Sequence, residues 1–173
     1  MFGGAADDRT AYFNLRSGGV VAVDVTTGLE RWFTPFGGPA AAPAGTAAIA
    51  NATGGGGNAP AQGRGAGQPA QAPAPTPQRV VASAAVTLLP GVVLSGGVDG
   101  MFRAFSSGNG GLLWEFNTAQ AFENDVNGVP VKGGSIGSAG PVVVDGLVYV
   151  VSGYIGFQRG VPGNALLVFG TGE

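Results

Sequence analysis

Apolar and polar residues alternate over short runs of this chain, a pattern typical of β-strands that bury one face. The runs TAYFNL and VVAVDV, at Thr10–Leu15 and Val20–Val25, are separated by the glycine-containing turn RSGG. A third run, Leu29–Phe33, follows the turn TTG. Glycine in each turn supplies the positive φ that tight hairpins require. The N-terminal part is therefore predicted to be an antiparallel meander of three strands.

Strand patterns resume after residue 79 and continue to the end of the chain. Turns rich in proline, glycine, aspartate or asparagine separate four of these runs: Val80–Leu89, Val92–Ser95, Met101–Ser106 and Leu112–Asn117. Three more runs begin at Pro141 and continue through Leu147–Ser152 to Ala165–Phe169. We therefore predict an all-β chain whose strands form groups of three, four and three.

Residues 39–79 differ from the rest of the chain in composition. These 41 residues include 14 alanines, 8 glycines and 7 prolines, and only Arg64 and Arg79 are charged. Such a segment buries too little apolar surface to offset the entropy lost on ordering, so we predict a disordered insert. The predicted organisation is then a partial blade at 1–38, a full blade at 80–117, an insertion loop at 118–139 and a C-terminal partial blade at 140–173.

Composition excludes several classes of function. Only 10% of the 173 residues are charged and the formal net charge is -2, so no basic surface for nucleic acid is expected. Cysteine and histidine are both absent. Their absence excludes disulfides, thiolate metal sites and nucleophilic catalysis with a histidine base. No apolar run reaches the length of a membrane span, and no secretory signal pattern begins the chain. We therefore expect a cytoplasmic chain or one whose true start lies upstream.

Two stretches, AVDVTTGLERW and AFSSGNGGLLW, share one spacing. Alanine, glycine and tryptophan occupy offsets zero, six and ten in both: Ala22, Gly28 and Trp32 in the first, and Ala104, Gly110 and Trp114 in the second. Asp24 stands at offset two of the first copy, where the second has Ser106. The alanines are 82 positions apart, and removing the 41-residue insert leaves 41, the length of one four-stranded propeller blade. A third copy places Val168 at the alanine position.

The motif A-x-D-x-x-x-G-x-x-x-W at the end of a meander resembles the tryptophan-docking repeat of the pyrroloquinoline quinone (PQQ) dehydrogenase β-propellers. In that family each tryptophan packs on a peptide of the neighbouring blade, which implies that Trp32 and Trp114 support blade contacts. Asp24 can bond back onto its own turn, and Ser106 replaces it in the second copy, so it is predicted to be a turn and packing residue. The C-terminal part, from LWEFNTAQ through VVSGY to VPGNALLVF, resembles more closely the end of polyvinyl-alcohol dehydrogenase-like quinoproteins. The chain is thus identified as the C-terminal fragment of a longer propeller, about two and a half blades.

The resemblance implies a periplasmic alcohol dehydrogenase. Such enzymes use PQQ beside a calcium ion and a carboxylate base, and pass electrons to a cytochrome c or a similar acceptor. The family's catalytic aspartate context is not recognisable in this chain. We therefore expect it to be inactive alone and to depend on the remaining propeller blades of the full-length chain. The alternative is a non-catalytic propeller that resembles the outer-membrane assembly scaffold lipoproteins.

The best local candidate for cofactor binding is the segment KGGSIGSAG. Its binding residues are predicted to be Lys132, Gly133, Gly134 and Ser135. Glycine permits close approach of a flat ligand, while lysine and serine donate to the carboxylates and carbonyls that PQQ carries. The alternative is an ordinary glycine-rich crossover.

Two weaker candidates accompany this segment. Asn117 and Tyr154 are predicted to lie near the same face as the KGGSIGSAG segment. Glu123 and Asp125 could hold a hard cation through oxygen, or could simply be polar loop residues.

Overall fold

A computed structural model describes residues 3–37, 84–123, 128–137, 139–155 and 160–170. The predicted insert at 39–79 lies outside these described residues. Within them the chain forms thirteen strands: β1 (Ala5–Ala6), β2 (Thr10–Leu15), β3 (Gly19–Asp24), β4 (Glu30–Pro35), β5 (Thr87–Leu89), β6 (Val92–Gly96), β7 (Met101–Ser106), β8 (Leu112–Asn117), β9 (Ala121–Phe122), β10 (Val131–Lys132), β11 (Val142–Val144), β12 (Leu147–Ser152) and β13 (Ala165–Phe169). No helix in the described part is long and apolar enough to span a membrane.

Sheet 1 is an antiparallel meander of four strands in the order β1-β2-β3-β4. The sequence predicted three strands here, and the structure corrects this to four because β1 pairs with β2 through Ala5 opposite Tyr12. A strand of two residues is too short to show the alternation on which the prediction rests. The first unit is therefore a complete four-stranded sheet.

Sheet 2 has the order β5-β6-β7-β8 and also contains four antiparallel strands. Its first strand, Thr87–Leu89, is shorter than the predicted run Val80–Leu89. Ala84 and Val86 precede it outside any strand, yet both are buried in the core. Their apolar character therefore reflects burial in a connecting segment and not strand pairing.

Sheet 3 contains three antiparallel strands in the order β11-β12-β13. The predicted insertion loop between sheets 2 and 3 contains one small ribbon, in which β10 pairs with β9. β1, β9 and β10 therefore raise the strand count from the ten predicted to thirteen.

The two copies of the repeat have the same backbone geometry. Ala22 lies opposite Trp32, and Ala104 lies opposite Trp114. The register shifts directly after each alanine, so both sheets carry a bulge at the same place. The N–H of each motif glycine also donates to the main-chain oxygen at offset two, at 2.8 Å in both copies. The shared spacing therefore encodes one hairpin geometry.

Two apolar clusters join the three sheets in sequence. The forward face of a sheet is defined here as the face toward the following sheet, and the rear face as the opposite one. The first cluster joins forward residues of sheet 1 to residues of sheet 2 and its leading segment: Tyr12, Val20, Ala22 and Trp32 against Val86, Leu88, Val93 and Phe105. The second joins the forward face of sheet 2 to sheet 3: Leu94, Phe102 and Ala104 against Val143, Val148, Val150 and Phe169.

Successive antiparallel sheets thus stack face to face, as propeller blades do. This arrangement confirms the predicted all-β partial propeller with repeated four-stranded blades.

Candidate functional site

Several connections meet at one end of sheets 2 and 3, and we call them the loop cluster. They are 97–100, 117–120, 132–137, 152–155 and 160–164. Main-chain hydrogen bonds join them: the N–H of Thr118 donates to the Gly100 oxygen at 2.8 Å, and that of Ile136 donates to the Gly97 oxygen at 3.0 Å. The N–H of Gly153 also donates to the Ser135 oxygen at 2.8 Å, so the insertion after sheet 2 is folded onto the turns of both neighbouring sheets.

Two hydroxyl side chains outside the predicted cofactor-binding segment lie at the centre of the loop cluster. Thr118 and Ser152 are fully buried, and their Oγ1 and Oγ atoms are 2.8 Å apart. Thr118 Oγ1 is also 2.7 Å from the Gly100 oxygen, and the N–H of Gly134 donates to Ser152 Oγ at 2.8 Å. These bonds satisfy main-chain groups where strand pairing stops. The sequence signal for them is modest, since each hydroxyl lies at or just after the end of a strand.

Ser135, a predicted cofactor-binding residue, is buried and bonded to protein. Its Oγ accepts the N–H of Val161 at 2.7 Å and donates to the main-chain oxygen of Val98. Its own N–H donates to the Val161 oxygen at 2.8 Å. The single hydroxyl proton is therefore committed to the protein, and Ser135 joins a loop of sheet 3 to a turn of sheet 2.

At Gly133 and Gly134 another group comes so close that no side chain would fit. In both cases that group is protein backbone. A Cβ atom at Gly133 would lie 1.8 Å from the oxygen of Thr118, and one at Gly134 would lie 2.1 Å from the oxygen of Val161. The sequence leaves two explanations for this lack of side-chain volume, a flat ligand and an ordinary glycine-rich crossover, and packing on protein backbone fits the crossover. Binding of PQQ by these two glycines stays a prediction.

Lys132 differs from the three residues that follow it because its side chain is exposed. Its main chain is held on both sides by Asn164: the Lys132 N–H donates to Asn164 Oδ1 at 2.9 Å, and the Asn164 N–H donates to the Lys132 oxygen at 2.7 Å. It is also the single lysine of the chain. The segment therefore presents one exposed cation on a backbone that is fixed in place.

Of the remaining candidates, Asn117 and Tyr154 both lie in the loop cluster, in the connections 117–120 and 152–155. Asn117 Oδ1 accepts the N–H of Ala119 at 2.9 Å and so caps its own turn. Tyr154 is exposed and lines an open apolar hollow of about 380 Å³ together with Gly137, Ala139, Val151 and Leu166. Glu123 is exposed, and Asp125 lies outside the described residues. Within the described ranges no three acidic residues are grouped so as to hold a metal ion.

The motif residue Trp32 lies at the contact between sheets 1 and 2. Its indole N–H donates to the main-chain oxygen of Ser107 at 3.0 Å, and the side chain is 2% exposed. Gly110 has φ +71°, and a Cβ there would be 2.5 Å from Cε3 of Trp32. Trp114 occupies the same register in sheet 2 but is 42% exposed and packs on Phe169. One motif therefore produces two degrees of burial.

Asp24 has a structural position in the turn between β3 and β4. The N–H groups of Thr26 and Thr27 both donate to Asp24 Oδ1 at 3.0 Å, and Oδ2 is 3.4 Å from Nε of Arg31. The bond from the Thr27 N–H, with the others, holds the pKa of Asp24 below its usual range. The carboxylate therefore stabilises the turn that precedes Trp32.

No protein-family model matches the chain. A polyvinylalcohol dehydrogenase from Pseudomonas sp is 49% identical over 94 residues, which are 50% of this chain and 15% of that protein. A polyvinylalcohol dehydrogenase from Sphingopyxis sp. (strain 113P3) is 36% identical over 95 residues, which are 50% of this chain and 14% of that protein. The matched region thus spans about one seventh of the length of these curated relatives.

Two solved structures show a looser likeness. Quinohemoprotein alcohol dehydrogenase from Comamonas testosteroni covers 86% of this chain with 19% identity and a TM-score of 0.46, over 16% of its own chain. BamB from Moraxella catarrhalis covers 87% with 22% identity and a TM-score of 0.31, over 46% of its own chain. The sequence matches confirm the resemblance inferred from the motifs: over half of its length, this chain is similar in sequence to polyvinylalcohol dehydrogenases.

Proposed function

We propose that the chain forms part of the propeller of a PQQ-dependent alcohol dehydrogenase. The observation that carries the proposal is the 49% identity to a polyvinylalcohol dehydrogenase over half of the chain. The stacked sheets and their repeated tryptophan motif support it, because they supply the architecture on which such a site is built. We propose further that the enzyme oxidises an alcohol and passes the electrons to a cytochrome c or a similar acceptor. Its proposed location is the periplasm.

Within this proposal the cofactor site involves the loop cluster. PQQ, when bound beside calcium, supplies the quinone that accepts a hydride from the alcohol. Lys132 suits a cofactor carboxylate, since its ammonium is exposed while Asn164 holds its backbone. Gly133, Gly134 and Ser135 would act indirectly, by fixing the loop that carries Lys132. The catalytic base and calcium ligands are assigned to the remaining propeller blades of the full-length chain.

The competing function is a non-catalytic propeller scaffold. The observation that favours it is the packing of Gly133 and Gly134 on protein backbone, together with the bonding of Ser135 to Val98 and Val161. These contacts suit an architectural crossover as well as a cofactor support. The two functions differ in whether Lys132 binds a carboxylate ligand.

An experiment on the complete propeller separates them. PQQ is titrated with calcium, and dye-linked oxidation of an alcohol is recorded for the native sequence, for Lys132→Gln and for the control Arg16→Gln, which removes a cation from an exposed turn. We expect weaker PQQ binding in Lys132→Gln and native binding in the control. If the native propeller binds PQQ without developing alcohol oxidation, or does not bind it, the dehydrogenase function is excluded.

A further inference from the structure

The forward face of sheet 3 is apolar across all three strands. Strand register places seven apolar side chains on it: Val142, Val144, Leu147, Tyr149, Val151, Leu166 and Val168. Leu166 is 62% exposed, Val142 is 56% exposed and Val168 is 51% exposed. No sheet in the described part of the chain packs on this face. A continuous exposed apolar sheet face of this kind marks an interaction surface.

The chain itself shows what kind of partner covers a forward face. In sheet 1 the forward residues Tyr12 and Ala22 are buried against sheet 2, and in sheet 2 the forward residues Phe102 and Ala104 are buried against sheet 3. Val168 is the counterpart of Ala22 and Ala104 in the repeat and is on the forward face of sheet 3. The partner that fits this face is therefore the rear face of a sheet of the same type.

Sheet 1 has an apolar rear face that could pack on such a forward face. Register places six apolar side chains on it: Ala11, Phe13, Leu15, Val21, Val23 and Phe33. Val21 is buried and the other five are half-buried. Neither of the two apolar clusters of the described residues includes any of them. The stack thus has an apolar forward face at one end and an apolar rear face at the other.

We propose that a second copy of this chain covers the forward face of sheet 3 with the rear face of its own sheet 1. Because different surfaces meet, the contact is heterologous, and such contacts form a ring when the rotation closes. Sheets 1 to 3 of two copies give six stacked sheets, which is within the usual four to eight blades of a propeller, whereas those of three copies give nine. The expected assembly of the 173-residue chain is therefore a head-to-tail dimer with two equivalent contacts.

This inference rests on the fold and not on the proposed activity. In a longer dehydrogenase a following sheet of the same chain would occupy the same forward face. The test therefore uses the 173-residue chain, in whose described part no further sheet competes for the forward face.

The test is the mass of the 173-residue chain by light scattering over a range of concentrations. We expect twice the mass of one chain. The double variant Val151→Glu with Leu166→Glu places charge on the forward face and is expected to give the mass of one chain. Ser17→Glu, which adds the same charge in an exposed turn, is the control and should remain dimeric. Circular dichroism verifies that each variant is folded.

A rear-face variant, Val23→Glu, tests the direction of the contact. Head-to-tail association predicts that it is also monomeric, and that mixing it with the forward-face variant restores a two-chain species through the one intact contact. A native chain that is monomeric at every concentration overturns the proposal, as does a dimeric Val23→Glu variant, which would indicate that two forward faces meet.

Labels provide a second measurement if the charged variants do not fold. The chain has no cysteine, so Asp145→Cys and Asp8→Cys, in exposed connections outside the two faces, each introduce a unique labelling position. A donor on the first chain and an acceptor on the second are expected to show intermolecular energy transfer that unlabelled native chain competes away. Absence of transfer in an equimolar mixture overturns the proposal.

Discussion

The indole N–H of Trp32 donates to the main-chain oxygen of Ser107 at 3.0 Å, across the boundary between sheets 1 and 2. The two residues are 75 positions apart in sequence. The bond lies beside an apolar cluster to which both sheets contribute, so it combines burial of an aromatic side chain with satisfaction of its polar atom. This contact is one of several that join sheet 1 to sheet 2, together with the bond from Thr34 Oγ1 to the Gly110 oxygen and that from Ser95 Oγ to Asn14 Oδ1.

Removing the Trp32 side chain is expected to destabilise the chain strongly. Trp32→Ala should lower the free energy of unfolding by about 3–5 kcal/mol, as large-to-small changes of buried aromatic residues do. Trp114→Ala is the matched change in the second repeat and should cost clearly less, because that side chain is 42% exposed. Urea denaturation followed by circular dichroism measures both. Equal losses would contradict the assigned role of Trp32.

The two motif glycines should respond differently to the same substitution. Gly28 and Gly110 have φ values of +72° and +71°, but a Cβ at Gly28 meets nothing within 4 Å. Gly28→Ala should therefore cost only the left-handed backbone penalty of about 1–2 kcal/mol. Gly110→Ala adds a collision with Trp32, which should raise the total loss above about 3 kcal/mol. The unfolding free energies of the two variants are compared with that of the native chain. A similar loss in both would show that the Trp32 side chain shifts to make room for the added methyl group.

The lowered pKa of Asp24 predicts a contribution to stability that depends on pH. A carboxyl whose folded pKa is depressed contributes stability above its unfolded pKa, and this is lost as pH falls through the folded pKa. Asp24→Asn should therefore lower the melting temperature at neutral pH and reduce the acid-induced loss of stability below about pH 4. Asp8→Asn, at an exposed bend, is the control. Parallel melting curves for Asp24→Asn and the native chain from neutral to acid pH would exclude this contribution.

Ser135 should behave as a structural residue of the loop cluster. Ser135→Ala leaves the N–H of Val161 and the oxygen of Val98 without their side-chain partner and should cost about 1–3 kcal/mol. Ser17→Ala, in an exposed turn, should be nearly neutral. Denaturant unfolding measures the difference. If Ser135→Ala leaves the free energy of unfolding unchanged, the hydroxyl is not needed for the fold and is available to a ligand.

The strands and turns followed from the sequence because their causes are local. Alternation identifies β2, β3 and the hairpins of sheet 2, and the glycines of the repeat mark turns with positive φ in the structure. β1 was missed because two residues carry no periodicity. The segment before β5 was assigned to a strand because Ala84 and Val86 are apolar, although their burial comes from contacts with other sheets.

The candidate site depended more heavily on tertiary structure. The sequence singled out Gly133 and Gly134 as positions of close approach, and both are close-packed. The groups they meet, the oxygens of Thr118 and Val161, are 15 and 27 residues away. No local sequence pattern contains that pairing. A glycine is needed whether a ligand or a neighbouring loop comes close, so the sequence does not distinguish the two.

By itself the sequence determined the all-β class, the repeat and the hairpin geometry, because turn stereochemistry and strand alternation act over a few residues. Only the tertiary structure decided which face of each sheet is covered. Trp32 and Trp114 show this most directly, since they share a motif and a register and yet are 2% and 42% exposed. The difference lies in what the neighbouring sheet places over each indole, and burial is a property of that packing and not of the residue.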